Sequence, residues 1–396
     1  MDFFRSPFLF LTNILQNDFL CLRFTHRKIE QSFIMAGILS KILNLFLPQA
    51  PEPYCSDNTF FVWEPCTYSH AEVVPGFAKY LLDLGYEVSV LVTPARYDEG
   101  LFQKYGNFNG RLHLNKLTQK QIRNFFKNNG LKNAKGLMLT TSGKLAEPAD
   151  YPTERKFFGE LKNGQKLIIV EHDIKKAVDT NTITNDIVML RKAYYKDATI
   201  TEINPHYFGD VTITQKNKDI TNFITVGALR GKRRNTDMLV DAVKTLVANG
   251  KTNFKITCIG KGSIKNIPAE LRKYFDAKGE ASFAQLYDEM EKADFFLPLL
   301  DSENPAHDRY ITTGTSGSFQ LIYGFATPCV IEQKFAQRNY FDTNNAILYM
   351  SSKDLAQAMQ QAIDMSQEQY ATLQQNLSNT ANDIAKNSLE NLKILL

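Results

Sequence analysis

Residues 223 to 259, FITVGALRGKRRNTDMLVDAVKTLVANGKTNFKITCI, carry the pattern that decides the fold. Phe223 to Val226 is a β-branched and aromatic run that stops at Gly227. Met238, Leu239, Ala242, Val243, Leu246 and Val247 then recur at helical spacing, and Gly250 supplies the left-handed residue that ends a helix. Phe254 to Ile259 returns as a second strand. Strand, helix and strand of these lengths form a βαβ unit, which requires a parallel sheet covered on both faces.

The same grammar occurs earlier in the chain. Thr59 to Trp63 reads as a strand, Val74, Phe77, Ala78, Leu81 and Leu84 share one helical face, Gly85 closes that helix, and Val88 to Val92 is the next strand. Further strands of this half are expected at Gly136 to Thr140, Lys166 to Val170 and Ala198 to Thr201; the later half adds Asp294 to Leu299 and Cys329 to Ile331. The expected class is therefore α/β, with two facing Rossmann-like domains of parallel sheet. The boundaries read as an N-terminal extension over 1–57, a first domain over 58–207, a polar linker over 208–222, a second domain over 223–365, and a C-terminal segment over 366–396. In that last segment Ser366 and Gln369 have capping-box spacing, and apolar residues from Tyr370 to Leu392 keep helical period. Its length predicts a bent or broken pair of helices that crosses back onto the first domain.

Composition excludes several classes. The 396 residues hold 46 Lys+Arg against 42 Asp+Glu, a formal charge of +4, with no nucleic-acid module. The five cysteines (Cys21, Cys55, Cys66, Cys258, Cys329) are scattered, which argues against a zinc site or a disulfide framework and for a reducing, cytoplasmic setting. No apolar run is long enough to span a membrane. Residues 1 to 34 make a poor signal peptide, and Met35 opens an amphipathic segment to Pro48, so the functional protein is expected to begin near Met35.

The chemistry-bearing stretches cluster at predicted strand ends. Ile311 to Gln320 reads Ile-Thr-Thr-Gly-Thr-Ser-Gly-Ser-Phe-Gln just before a helix, an arrangement that presents free backbone amides and a helix dipole to an anion. Gly227 to Arg234 places Arg230, Lys232, Arg233 and Arg234 at a strand's carboxyl end. Together they suit a diphosphate held from two sides. Gly260-Lys261-Gly262 ends another strand but lacks the third glycine of a dinucleotide fingerprint, and no G-x-x-x-x-G-K-[ST] sequence occurs. There is no D-x-D triplet either, so no metal and no cofactor is expected, and cations with helix N-termini must stabilise the leaving group.

The order of these motifs resembles the nucleotide-sugar-binding domain of GT-B glycosyltransferases. The likeness lies in the Val226-Gly227 strand end with its cations, the Gly260 strand end, the Tyr287 to Phe296 passage, the Ser-Gly loop and Gly324-x-x-x-Pro328. The Tyr68 to Gly76 loop, followed by Leu84 to Val88, is similar to the first loop of the acceptor domain. The resemblance spans residues 58 to 396. It implies a hexosyltransferase-like enzyme of bacterial cell-surface polysaccharide type, passing sugar from a nucleotide-diphosphate sugar to a glycan or lipid-linked acceptor. Many retaining members carry two glutamates seven residues apart; Gly314 to Leu321 holds none, which leaves the stereochemistry open.

Carried over residue by residue, the resemblance gives Gly227, Arg230, Lys232, Arg233, Gly260, His307, Tyr310, Thr315, Ser316, Gly317 and Ser318 to the donor. It gives His70 the role of catalytic base, with Glu72 as the second candidate; Glu171 and His172 directly follow the strand expected at Lys166 to Val170, so they point to the cleft and are assigned to the acceptor. His206 reads as structural. Leu101 to Ala146 contains nine cations (Lys104, Arg111, Lys116, Lys120, Arg123, Lys127, Lys132, Lys135, Lys144) and no Asp or Glu, so peripheral docking on an anionic membrane is expected. Two rival readings remain: a nucleotide-sugar epimerase on the same architecture, and a non-catalytic glycan- or nucleotide-binding partner.

Overall fold

The computed structural model describes residues 52–66, 70–141, 165–192, 194–217, 219–229 and 233–396. The expectations for the start at Met35, the amphipathic segment, Tyr68, Lys144, Arg230 and Lys232 lie outside the described residues.

The first half is a seven-stranded sheet of β1 (Thr59–Trp63), β2 (Glu87–Val92), β3 (Leu112–Lys116), β4 (Gly136–Leu139), β5 (Lys166–Glu171), β6 (Ile187–Met189) and β7 (Thr201–Glu202). Its spatial order is β3-β2-β1-β4-β5-β6-β7, and every pairing is parallel. The second half is a six-stranded sheet of β8 (Thr221–Val226), β9 (Phe254–Ile259), β10 (Phe275–Gly279), β11 (Phe295–Phe296), β12 (Cys329–Glu332) and β13 (Ala346–Tyr349). Its order is β10-β9-β8-β11-β12-β13, again wholly parallel. Both orders reverse direction beside the first strand of the sheet, at β1/β4 and at β8/β11. The carboxyl ends at these reversals are where open α/β sheets bind ligands.

Among the described residues the helices of eight residues or more are α1 (Val74–Asp83), α2 (Gln119–Lys127), α3 (Thr236–Ala248), α4 (Phe283–Lys292), α5 (Gly317–Gly324), α6 (Leu355–Asp364) and α7 (Gln367–Leu395). Gly85 (φ +90°) and Gly250 (φ +78°) end α1 and α3 as the sequence predicts. All five residues of β1 are buried, as a strand covered on both faces requires.

Three expectations are corrected. The strand placed at Ala198 to Thr201 lies at Thr201–Glu202, and that placed at Asp294 to Leu299 pairs only at Phe295–Phe296. Strands β3, β6, β10 and β13 were not anticipated. The C-terminal segment is a single unbroken helix rather than a pair. It contains neither Gly nor Pro, and its Ser366–Gln369 capping box is formed: Gln369 N donates to Ser366 Oγ at 3.2 Å and Ser366 N to Gln369 Oε1 at 3.0 Å. Along α7, Tyr370 and Leu373 pack with Phe295 and Met359, while Leu377 and Ile384 join Phe319 and Phe325 of the second half. Leu392 enters the core of the first half with Phe77 and Leu81.

Candidate active site

The site lies in a cavity of about 630 Å³ between the carboxyl ends of the two sheets. The loops after β1, β4 and β5 supply His70, Glu72, Thr141, Glu171, His172 and Asp173. Those after β8 and β11 supply Gly227, Ala228, Arg233, Arg234, Arg309, Tyr310 and Thr315 to Ser318, and α4 adds Phe283 and Leu286. Sequence-predicted residues from both halves therefore converge on one cleft.

On the second half, β8 and β9 end in contact. A Cβ on Gly260 would lie 1.8 Å from the Gly227 carbonyl oxygen, and both residues have positive φ, +142° and +130°. Gly260 thus has a packing role and does not line the cavity. Gly227 in turn makes room for Arg234, whose Nη2 would be 2.9 Å from a Cβ there. The buried Arg234 guanidinium donates to Ser318 Oγ at 2.8 Å and to Val226 O at 3.1 Å from Nη2, and to Arg233 O at 2.9 Å from Nη1. Among the described residues its Nε is buried without a partner, and the guanidinium makes no carboxylate contact. Burial draws its pKa below the ordinary arginine value, yet the group stays cationic. Arg233 Nη1 approaches Tyr310 Oη at 3.5 Å.

Helix α5 begins at the cleft. Its N-cap, Ser316, makes no side-chain cap; Phe319 N donates to Ser316 O at 3.0 Å, and the Gly317 and Ser318 amides are left for another acceptor. Glu72 reaches this end from the other half: a Cβ on Gly317 would be 2.5 Å from Glu72 Oε1. His307 departs from its expected donor contact. It is fully buried, takes a hydrogen bond from Asp301 N at 2.9 Å on Nδ1, and does not line the cavity. Sequence spacing put it near the Ser-Gly loop, but its short helix (Pro305–Tyr310) turns the ring inward.

On the first half, His70 has φ 71° and ψ 4°, a left-handed conformation uncommon outside glycine and asparagine. Its ring lies 4.0 Å from that of His172 at 44°. His172 Nε2 sits 2.8 Å from Thr140 O, so it is the protonated nitrogen. Burial, with His70 second, pushes the His172 pKa down to about 3. Burial also lowers His70; Glu72 opposes this, while Arg309 and Arg233 reinforce it. At neutral pH both rings are uncharged, so His70 can accept a proton. Glu64, which sequence reasoning passed over, lies behind this pair, accepts from Thr140 Oγ1 at 2.7 Å, and is held well above the usual carboxylate range by burial. His206 is structural, as expected: it is buried and its Nε2 lies 3.1 Å from Ala381 O of α7.

Main-chain hydrogen bonds join the two sides. Ile174 N donates to Thr313 O at 2.9 Å, and Thr315 N donates to His172 O at 3.0 Å. Arg191, 1% exposed, donates from Nε to Gly314 O at 3.0 Å and from Nη2 to Tyr310 O at 3.3 Å. Burial lowers its pKa to about 10, which still leaves it charged. Arg191, Arg309 and Asp173 join the two sides without any role assigned to them from sequence, and Arg234 was placed there only as one of the strand-end cations. Only Arg234, inside the cation cluster at a strand end, had a usable signal.

This arrangement of two parallel sheets, with a cleft between their carboxyl ends and a C-terminal helix spanning both, is the GT-B fold. The solved structure of HepE (Alr3699) from Anabaena, in complex with UDP and glucose, matches with a TM-score of 0.50 and 14% identity, covering 85% of this chain and 99% of that one. WaaG, a glycosyltransferase involved in lipopolysaccharide biosynthesis, and AviGT4, a glycosyltransferase involved in avilamycin A biosynthesis, match over 85% of this chain and 98% of theirs. Their TM-scores are 0.44 and 0.45, each at 13% identity. The sequence matches no family model and no curated protein.

Proposed function

We propose that this protein is a glycosyltransferase that uses a nucleotide-diphosphate sugar and needs no metal. The observation that carries the reading is the chemistry of the second-half side of the cleft: a buried Arg234 without an acidic partner beside the uncapped start of α5. Cleaving the bond between sugar and diphosphate builds negative charge on the leaving oxygen, and fixed donors already in place stabilise that charge most in the transition state. The Thr315 hydroxyl, the Ser316 to Ser318 loop, Arg233 and Tyr310 complete this side, and Arg230 and Lys232 belong to the same loop by sequence.

His70, neutral and at the opposite wall, is the base for the acceptor hydroxyl; Glu72 is the alternative, and Glu171 with His172 frames the acceptor side. No observation favours the epimerase or the non-catalytic partner over this reading. UDP-hexoses are the first donors to test, since the HepE structure holds UDP and glucose. A thermal-shift panel of nucleoside diphosphates and nucleotide sugars tests the assignment. A donor at 100 times its Kd adds about 2.7 kcal/mol of stability, and a panel with no shift sinks the reading.

The acceptor is proposed to be a glycan or lipid-linked precursor of the bacterial cell envelope, reached from the cytoplasmic face of the membrane. Support comes from α2 and the turn after it, where Lys120, Arg123, Lys127, Lys132 and Lys135 are exposed while Ile122 and Phe126 face inward. In the rest of the run, Lys104 pairs with Glu291 at 2.9 Å, Arg111 donates to Leu82 O at 2.7 Å, and Lys116 pairs with Asp98 at 2.6 Å. No helix among the described residues is long and apolar enough to cross a membrane. The protein is expected to sediment with vesicles rich in anionic lipid at low salt and to be released as salt rises; failure to sediment at low salt removes this part of the proposal.

A further inference from the structure

We propose that Arg309 is a ligand of the donor diphosphate which the free protein keeps engaged with Asp173, so that donor binding requires this ion pair to open. The inference rests on the donor reading above and adds a residue and a gate to it. Arg309 Nη2 lies 3.0 Å from Asp173 Oδ2, joining the loop before α5 to the loop after β5 across the cleft, and both residues line the cavity. Arg309 Nε is buried and has no partner. The guanidinium fits because residue 314 is glycine: a Cβ there would lie 2.9 Å from Nε. The Tyr310 ring, 5.4 Å away, backs it.

The backbones on either side are fixed by the Ile174–Thr313 and Thr315–His172 hydrogen bonds and by Arg191 from behind. The side-chain pair can therefore change while those backbones stay in place. Its members are 36% and 32% exposed, which makes it a weak pair held in partial contact with water. A diphosphate brings more negative charge than one carboxylate and matches the guanidinium fork with two oxygens. It displaces Asp173, takes up Nη2 and the orphaned Nε, and leaves Asp173 Oδ2 released on the acceptor side of the cleft while Oδ1 still accepts from Lys175 N at 3.1 Å.

Calorimetric titration of the full chain with UDP, repeated with inorganic pyrophosphate, tests this on wild type, Asp173→Asn, Arg309→Ala, Arg309→Lys and the Asp173→Asn/Arg309→Ala double variant. Asp173→Asn is expected to tighten binding by about 5-fold or more, Arg309→Ala to weaken it by about 10-fold, and Arg309→Lys to fall between. Asp173→Asn should have no further effect in the Arg309→Ala background, because the carboxylate then has nothing to withhold. Unchanged or weaker binding by a folded Asp173→Asn variant overturns the gate, as does tightening that persists without Arg309. Those outcomes leave the donor reading standing, whereas a wild-type protein that binds no nucleoside diphosphate overturns both.

Discussion

Replacing Arg234 with alanine is expected to lower turnover of the nucleotide sugar by about 10²- to 10³-fold, with little change in melting temperature. The asymmetry follows from its surroundings. The guanidinium is buried against Val226, Arg233 and Ser318 with no carboxylate to offset its desolvation, so its removal relieves one cost while losing neutral hydrogen bonds. A group that is expensive in the free protein and has an unpartnered donor is placed for a ligand, not for stability. Arg234→Lys keeps the charge but not the fork and should recover only part of the rate. Parallel steady-state kinetics and thermal unfolding check the prediction; wild-type turnover in Arg234→Ala would show that the diphosphate sits elsewhere.

Gly260→Ala should have the opposite profile, a large stability loss without any direct contact to the ligand. The new Cβ would meet the Gly227 carbonyl oxygen at 1.8 Å, and alanine at φ +142° is strained before any contact is counted. Relief requires the ends of β8 and β9 to part, which also shifts Gly227 away from Arg234. We expect a loss of roughly 3 kcal/mol or more, seen as a fall in Tm of about 4 °C or more in a chain of this length. A variant that melts with the wild type would mean that the two strand ends separate freely.

The parts of the fold legible in the sequence share a physical cause. Strands β1, β5, β8, β9 and β12 are apolar runs bounded by turn residues, and the helices between them carry a one-sided apolar stripe closed by glycine. The strands that escaped are edge or short ones. Phe275–Gly279 reads FDAKG, mostly half-exposed or exposed, and Ile187–Met189 has three residues, so neither has room to show a period. In the long helix α7, length points to a break, but the absence of Gly and Pro from 367 to 395 is the stronger signal and keeps the helix whole.

The site divides in the same way. His70, Arg233 and the Ser-Gly loop follow strands at once, so the fold places them at the cleft. Arg191 and Gly314 lie 123 positions apart in the chain, and Asp173 and Arg309 also come from opposite halves. Such pairings have no local signature. His307 illustrates the converse: proximity in sequence to the Ser-Gly loop said nothing about which way a ring in a six-residue helix would point.

The reach of α7 also bears on how the chain is made. Leu392 is wholly enclosed with Phe77 and Leu81, and Ser388 Oγ receives the Asn204 amide at 2.9 Å, so side chains near residue 390 close the core of the half that leaves the ribosome first. That half waits, incomplete, until the other has been synthesised and has docked its share of the same helix. Vectorial synthesis therefore cannot finish the first half before the second: Tyr370 to Ile384 belong to the later core, and only the turn beyond them, with Leu392, closes the earlier one.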